Sequence, residues 1–277
     1  MAKRSNFEEY RDKYPRFKLE KTEEKILLFQ LHTDGGEFAW DWRAHGDFGD
    51  ACADIAGDRD INVVIFTGTG DGFMNIWNPP TDKEFPAHQD AGAEQLDESG
   101  WRGRQRHLNF LDIQVPVIAA INGPCCIHAE LPVMCDIVLA AEHAWLQDST
   151  HFPRGVVPGD GVQTVWPMVL GRNRARYFLL MGQKLSAQEL LECGAVNEVL
   201  PKEQLMDRAW EVARYLAMRP PLTLRLTRSV LVQEFKRAAL NDLALGQFQE
   251  LYAMRNYFSY RGGQEPLDRP WDQDPWT

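Results

Sequence analysis

Along the first 150 positions, short apolar runs alternate with amphipathic stretches and polar turns. Lys25-Ile-Leu-Leu-Phe-Gln-Leu-His32 reads as a strand, and Asp34-Gly-Gly36 turns the chain after it. Phe48, Ala51, Cys52 and Ile55 recur at helical spacing, Gly57-Asp58 closes that helix, and Val63-Val-Ile-Phe66 is a β-branched strand. Strand, helix and strand in that order make a βαβ unit. The first 20 residues are charged and weakly patterned. The stretch from Trp77 to about Gly103 has no sustained period and reads as a long surface excursion leading into a helix that ends near Asp112.

Val115–Ile121 and Asp136–Ala141 are the next expected strands, with the turn Asn122-Gly-Pro124 and a short helix carrying His128 and Glu130 between them. Ser186-Ala-Gln-Glu189 has the spacing of a capping box, and Gly194 stops the helix that follows. Residues 202–219 place Ala209, Val212, Ala213 and Leu216 on one helix face, with Pro220-Pro221 as the stop. The last twenty residues read as irregular. The expectation is an α/β core over residues 1–200, then a helical C-terminal region and irregular tail over residues 201–277.

Composition narrows the function. In a chain of 277 residues, 40 acidic against 30 basic side chains give a formal charge of −10. That field disfavours nucleic acid and anionic membrane surfaces as partners. No apolar run approaches the roughly 20 residues needed to span a bilayer, and the N-terminus has no apolar signal core, so a cytoplasmic location is expected. Five cysteines without a CxxC pair fit reduced thiols. Neither GxxxxGK[ST] nor a GxGxxG after a strand occurs, so nucleotide chemistry has no support.

Ala119-Ala-Ile-Asn-Gly-Pro124, Glu130-Leu-Pro-Val-Met-Cys-Asp-Ile-Val-Leu-Ala140 and Gly155-Val-Val-Pro-Gly-Asp-Gly161 together resemble the crotonase (enoyl-CoA hydratase/isomerase) superfamily. Thr67-Gly-Thr-Gly70 and Gly194-Ala-Val-Asn-Glu-Val199 extend the likeness to roughly residues 20–255. The resemblance implies an α/β fold, a crotonase-like spiral of ββα units, with a helical C-terminal trimerisation region and a homotrimer or hexamer built as a dimer of trimers. In that superfamily two backbone N–H groups usually hold a thioester oxyanion. The corresponding loops here read Phe73-Met-Asn-Ile-Trp77 and Cys126-Ile-His128 in place of the family's small residues.

Those altered stretches resemble a divergent branch, 6-oxocamphor hydrolase and related β-diketone hydrolases. The matching residues are Leu31-His-Thr33, Ala39-Trp40 with His45, His128-Ala-Glu130, Gln147-Asp148 before His151-Phe-Pro153, Val157-Pro-Gly-Asp160-Gly, and Val165-Trp-Pro167. The likeness implies cleavage of a carbon–carbon bond between two carbonyls without cofactor or metal. It also implies His151 and Asp160 as an acid/base pair, His128 and Trp40 as binders of a substrate carbonyl, and His45 and Glu250 as supporting polar residues.

Side-chain chemistry agrees with those roles. Hydrolysing a 1,3-diketone needs a base for water, donors for the oxyanion and an acid for the departing enolate. Imidazole suits the first task, a carboxylate beside His151 would fix its tautomer, and His128 with the indole of Trp40 can donate hydrogen bonds. Each residue also has a plainer reading: Trp40 as core, Asp160 as a cap for the helix starting at Gly161, Glu250 as a solvated helix residue. Cys125, Cys126, His128 and Glu130 can all ligate metal, but their spacing matches no tetrahedral zinc pattern. Two alternatives stand beside diketone hydrolysis: an ordinary enzyme acting on a coenzyme A thioester, favoured by Glu130, and a catalytically silent scaffold of the same fold.

Overall fold

The computed structural model describes residues 4–77 and 92–254. Along the chain run α1 (Phe7–Tyr10), β1 (Phe17–Lys21), β2 (Ile26–Leu31), β3 (Ala39–Trp40), α2 (Trp42–Gly57), β4 (Val63–Thr67), β5 (Ile76–Trp77) and α3 (Ala93–Asp112). Next come β6 (Val117–Ile121), α4 (Glu130–Val133), β7 (Ile137–Ala141), β8 (Trp145–Leu146), α5 (Val162–Leu170) and α6 (Arg172–Met181). The chain continues through β9 (Leu185–Ser186), α7 (Ala187–Glu192), β10 (Glu198–Leu200), α8 (Lys202–Ala217), α9 (Pro221–Leu231) and α10 (Gln233–Met254).

The main sheet has the order β1-β2-β4-β6-β7-β10, parallel except for the antiparallel edge pair β1/β2. Its central strands are apolar at nearly every position, with Gln30 and Thr67 as exceptions, because both faces are covered. Leu27, Phe29, Val64, Phe66, Val117 and Ala119 join one core. Ile26, Leu28, Val63, Ile65, Ile118 and Ala120 join a second, closed by Leu205, Ala209 and Ala213 of α8.

A second layer crosses the ends of these strands. There β3 pairs with β5, and Cys125 bridges both Met74 and Leu146. Each long strand is thus followed by a short strand-like piece and then a helix, the ββα repeat of a crotonase-like spiral. The expected elements are present, with three shifts. The strand β1 and the helix α1 lie in the segment read as unpatterned. The helix α2 begins at Trp42, capped by the Asp41 carboxylate on Ala44 N–H at 2.7 Å, and its first turns carry polar residues where an apolar period was sought. The helix α3 begins at Ala93 rather than near Gly103, because its buried face is made of Gly100, Gly103, Arg106, His107 and Phe110. Most of the Trp77–Gly103 excursion and the irregular tail lie outside the described residues. The capping box at Ser186 and Glu189 forms as expected.

One buried guanidinium ties the C-terminal helices to the sheet. Arg228 of α9 is 1% exposed; its Nε donates to Asp136 Oδ2 at 2.7 Å and its Nη1 to the carbonyls of Leu111 and Ile113. Asp136 also accepts from Val117 N–H at 2.8 Å, so α9 is joined to the end of α3 and the starts of β6 and β7. Replacing Arg228 by Ala leaves a carboxylate and two carbonyls without their donor. The expected loss of unfolding free energy in urea at pH 7 is about 3–5 kcal/mol. A loss under about 1 kcal/mol would mean the pair is dispensable.

Candidate active site

Two loops leaving the sheet meet in a buried polar cluster. The first, after β6, is anchored by Asn122, whose amide donates to Gly70 O and Gly72 O and whose Oδ1 accepts from Gly68 N–H. It then runs beside Met74 and ends at His128, which is held at φ +49. That left-handed conformation costs a residue with a side chain about 1–3 kcal/mol and marks a position fixed by its surroundings. His128 precedes α4 rather than lying within it, as the sequence had suggested.

Both ring nitrogens of His128 are engaged. Nδ1 lies 3.0 Å from Glu130 Oε1 and 3.2 Å from Asp160 Oδ2, while Nε2 lies 2.9 Å from His45 Nε2. His45, half-buried on the first turn of α2, places Nδ1 2.8 Å from the Asp41 carbonyl and so donates to it. Burial and then Arg106 lower the pKa of His45 well below its ordinary value; the same two causes lower that of His128, against Glu130 and Asp160. The Trp40 ring contacts both imidazoles, with centroids 4.7 Å from His45 and 5.0 Å from His128. Its indole N–H is buried without a hydrogen-bond partner among the described residues.

The second loop follows β8. His151 Nδ1 sits 2.6 Å from Asp148 Oδ1, and Nε2 faces Asp160 Oδ1 at 3.3 Å and Glu250 Oε1 at 3.8 Å. Burial opposes the charge on this ring, yet Asp148 and Asp160 raise its pKa well above the usual histidine value, so the resting ring is an imidazolium. Asp160 is buried too, which alone would raise its pKa; His151, His128 and Arg106 instead hold it well below the carboxylate range. Glu250, 6% exposed on α10, is pushed up to about 7 by burial and then by Asp160.

His151, Asp160, His128, His45, Trp40 and Glu250 therefore form one contiguous cluster. Asp160 does not cap α5: that position is Gly161, held at φ +134, and a Cβ there would meet His107 Nε2 at 2.5 Å. Four further residues join the cluster: Asp148, Arg106 and His107, which had no assigned role in the sequence, and Glu130, which the sequence had offered only to metal ligation or the coenzyme A reading. Arg106 Nη2 lies 3.5 Å from Asp160 Oδ2, and His107 Nε2 lies 3.0 Å from Glu130 Oε1. Their signal is the adjacent pair Arg106-His107 at positions where α3 should bury apolar residues.

Among the described residues, two triads bring ligand-type atoms within 4.8 Å: His128, Glu130 and Asp160, and His151, Asp160 and Glu250. Arg106 and the His151 imidazolium already supply positive charge to Asp160, and two imidazoles occupy Glu130 Oε1. The geometry is that of a hydrogen-bonded proton network rather than a cation cage. Cys125 and Cys126 point elsewhere, to the carbonyls of Ile127 and Asn75. Burial raises both thiols, Cys126 to about 11, and keeps them protonated. The backbone N–H groups of Cys126 and Ile127 both donate to Met74 O, at 2.9 and 3.0 Å.

The spiral fold and this cluster define a crotonase-type enzyme. The profile of the enoyl-CoA hydratase/isomerase family matches residues 22–261, and the chain belongs to that family. Among solved structures, a β-diketone hydrolase from the cyanobacterium Anabaena sp. PCC 7120, bound to (S)-3-oxocyclohexyl acetic acid, is similar with a TM-score of 0.85 and 40% identity. The match covers 90% of this chain and 97% of that one. An enoyl-CoA hydratase/isomerase from Mycobacterium paratuberculosis shares the fold at 23% identity and a TM-score of 0.76, over 88% of this chain and 98% of that one. Carnitinyl-CoA dehydratase of Salmonella arizonae is 30% identical over 208 residues, 71% of this chain and 76% of its own length.

Glu250 yields a stability test. Its pKa of about 7 exceeds the ordinary glutamate value of 4.5, so the folded state binds more protons than the unfolded state between those values. Stability therefore falls as pH rises through that window. Glu250→Gln removes the ionisation. Urea melts should find the variant similar to the parent at pH 4 and more stable by about 3 kcal/mol at pH 8. Equal stability at both pH values would mean that Glu250 ionises normally.

Proposed function

We propose that this enzyme hydrolyses the carbon–carbon bond between the two carbonyls of a cyclic or otherwise apolar β-diketone, a retro-Claisen cleavage that yields a keto acid. The observation that carries the reading is the convergence of His151, Asp160, Glu250, His128 and Trp40 in one buried cluster. The 40% identity to the Anabaena β-diketone hydrolase supports it. Ring-opening hydrolysis of a bicyclic 1,3-diketone leaves a cyclic ketone bearing a carboxylic-acid side chain, the class of compound bound in that neighbour.

Water adds to one carbonyl, giving up a proton to His151 Nε2. For that the ring must first shed its own Nε2 proton, and Glu250, 3.8 Å away with a pKa of about 7, is placed to take it. The tetrahedral oxyanion accepts from the Trp40 indole N–H and from Nε2–H of His128 in its doubly protonated form, whose Nδ1–H stays on Glu130. Its collapse re-forms a C=O bond and breaks the C–C bond, and the electron pair leaves as the enolate of the second ketone. His151, now protonated again, delivers the proton to that carbon.

The coenzyme A reading has two observations in its favour, the carnitinyl-CoA dehydratase likeness and Glu130. Against it, Glu130 Oε1 is taken by two imidazoles, and the Cys126 and Ile127 amides are satisfied by Met74 O instead of facing a thioester. We further place the protein in the cytoplasm, in keeping with five free thiols and, among the described residues, no helix long and apolar enough to cross a membrane. A homotrimer or hexamer is supported by the apolar outer face of α9, where Leu222, Leu226 and Val230 are all more than half exposed.

Purified protein without added metal or coenzyme should hydrolyse bicyclic or cyclohexane 1,3-diketones and leave crotonyl-CoA untouched. His151→Ala should lower kcat by about 10²–10⁴-fold with a much smaller change in KM. Hydration of the thioester without diketone cleavage would favour the coenzyme A reading. Inertness towards both classes would favour the silent scaffold. Light scattering should return a multiple of three chains; a monomer near 32 kDa at micromolar concentration would remove the assembly.

A further inference from the structure

Beneath His128 lies a second buried layer that the proposed reaction does not itself use. Glu130 is 0% exposed and His107 1% exposed, and Glu130 Oε1 lies 3.0 Å from both His107 Nε2 and His128 Nδ1. Burial raises the pKa of Glu130, but His128 and His107 overcome this and lower it to about 2, so the group is a carboxylate. A carboxylate oxygen only accepts, and therefore both imidazoles donate to it. For His128 this assigns the Nδ1–H tautomer, reinforced by Asp160 Oδ2 on the same nitrogen at 3.2 Å.

The consequence falls on the other nitrogen. With Nδ1 committed, a neutral His128 presents Nε2 as a bare lone pair. The nearest group to it, His45, also offers a bare Nε2, since its Nδ1 donates to the Asp41 carbonyl. Two bare nitrogens 2.9 Å apart repel unless a proton lies between them. The His128/His45 contact is thus a place where one proton enters and leaves, and where it can be redirected to a third acceptor.

We propose that Glu130, held by His107, is the positioning residue that fixes the His128 tautomer, so that His128 exchanges protons and hydrogen bonds through Nε2 alone. His151 stands in the same relation to Asp148, which accepts at its Nδ1 at 2.6 Å. His128 and His151 are therefore each backed by a buried carboxylate, and Asp160 faces both. The wall that holds Glu130 is rigid: His107 is pressed by Gly161, and its own Nδ1 lies 3.2 Å from the Gly103 carbonyl one turn back on α3. Losing the carboxylate removes the acceptor that supports a second proton on His128, so the ring falls back to a neutral Nε2–H form whose one proton is held by His45 Nε2 and whose Nδ1 is bare.

The experiment is nitrogen NMR of ¹⁵N-histidine-labelled full-length protein, with His128 assigned from a His128→Gln control, between pH 6 and 8. In the parent protein His128 Nδ1 should be protonated throughout. In Glu130→Gln, with the fold checked by near-ultraviolet circular dichroism, the proton should move to Nε2. Because that variant could fail to fold, His107→Gln is made alongside it and should shift the tautomer partway. A His128 already in the Nε2–H form in the parent, or unchanged in a folded Glu130→Gln or His107→Gln, would overturn the inference. A kinetic arm rests on the diketone-hydrolase reading: Glu130→Gln should lose kcat by on the order of 10²–10⁴-fold with KM nearly unchanged, as expected for a wrong tautomer in otherwise intact geometry. Failure of the parent to cleave any diketone would defeat that reading while leaving the tautomer measurement to decide the inference.

Discussion

The carboxylate of Asp160 is the interaction around which the site is arranged. Its oxygens face different imidazoles, Oδ1 toward His151 and Oδ2 toward His128, with Arg106 beside Oδ2. Burying an unpaired carboxylate costs several kcal/mol, and three positive or proton-donating partners offset that cost here. The backbone makes this convergence possible. A Cβ on Gly159 would fall 2.1 Å from Gly246 O, and one on Gly246 would fall 2.3 Å from Gly159 O, so the Asp160 loop lies flush against α10. The same close approach carries Glu250, one turn beyond Gly246, to the face of His151.

Charge balance then explains why Glu250 differs from its neighbours. Arg106 and the His151 imidazolium offset two of the carboxylates Asp148, Asp160 and Glu130, leaving the cluster near one negative charge. A fourth carboxylate would add like charge in a dry environment, so its proton is retained until about pH 7. The group that is hardest to ionise becomes the one that can exchange a proton near neutrality. Its unusual behaviour is a property of the whole cluster and not of the helix that carries it.

The fold was legible where burial left a periodic trace. Strands such as Val63–Phe66 and Val117–Ile121 are apolar throughout because both faces are covered, and α8 shows its one buried face directly. Of the elements that escaped notice, α1 and β1 bury Phe7, Tyr10, Phe17 and Leu19 over runs too short to show a period, whereas the starts of α2 and α3 have buried positions that are not apolar. The inner face of α3 presents Gly100 and Gly103 to α10 and Arg106 and His107 to the site, and the first turns of α2 carry His45 and polar residues. Periodicity fails in these places because the helices border chemistry. Of the cluster, His45, His128, His151, Asp160, Trp40 and Glu250 were readable through family likeness, and His107 was not. The distinct roles of Asp148 and Glu130 depend on which nitrogen each faces, and no spacing along the chain encodes that.

The closed amide loop and the backed imidazoles are two sides of one change. Backbone N–H donors stand at fixed distances and do not titrate, so an oxyanion held by them is stabilised alike at any pH. Here the Cys126 and Ile127 amides of the second loop are spent on Met74 O, and the side-chain donors in the cluster are the Trp40 indole, the imidazoles and the Arg106 guanidinium. An imidazole donates only in the correct protonation state, so in the proposed hydrolysis stabilising the oxyanion and moving protons become the same event. Such a site needs carboxylates that hold each ring in one tautomer, and Asp148 behind His151 and Glu130 behind His128 meet that need. Glu130, buried and accepting from His107 and His128, thus carries its charge behind the ring proposed to react rather than in front of it.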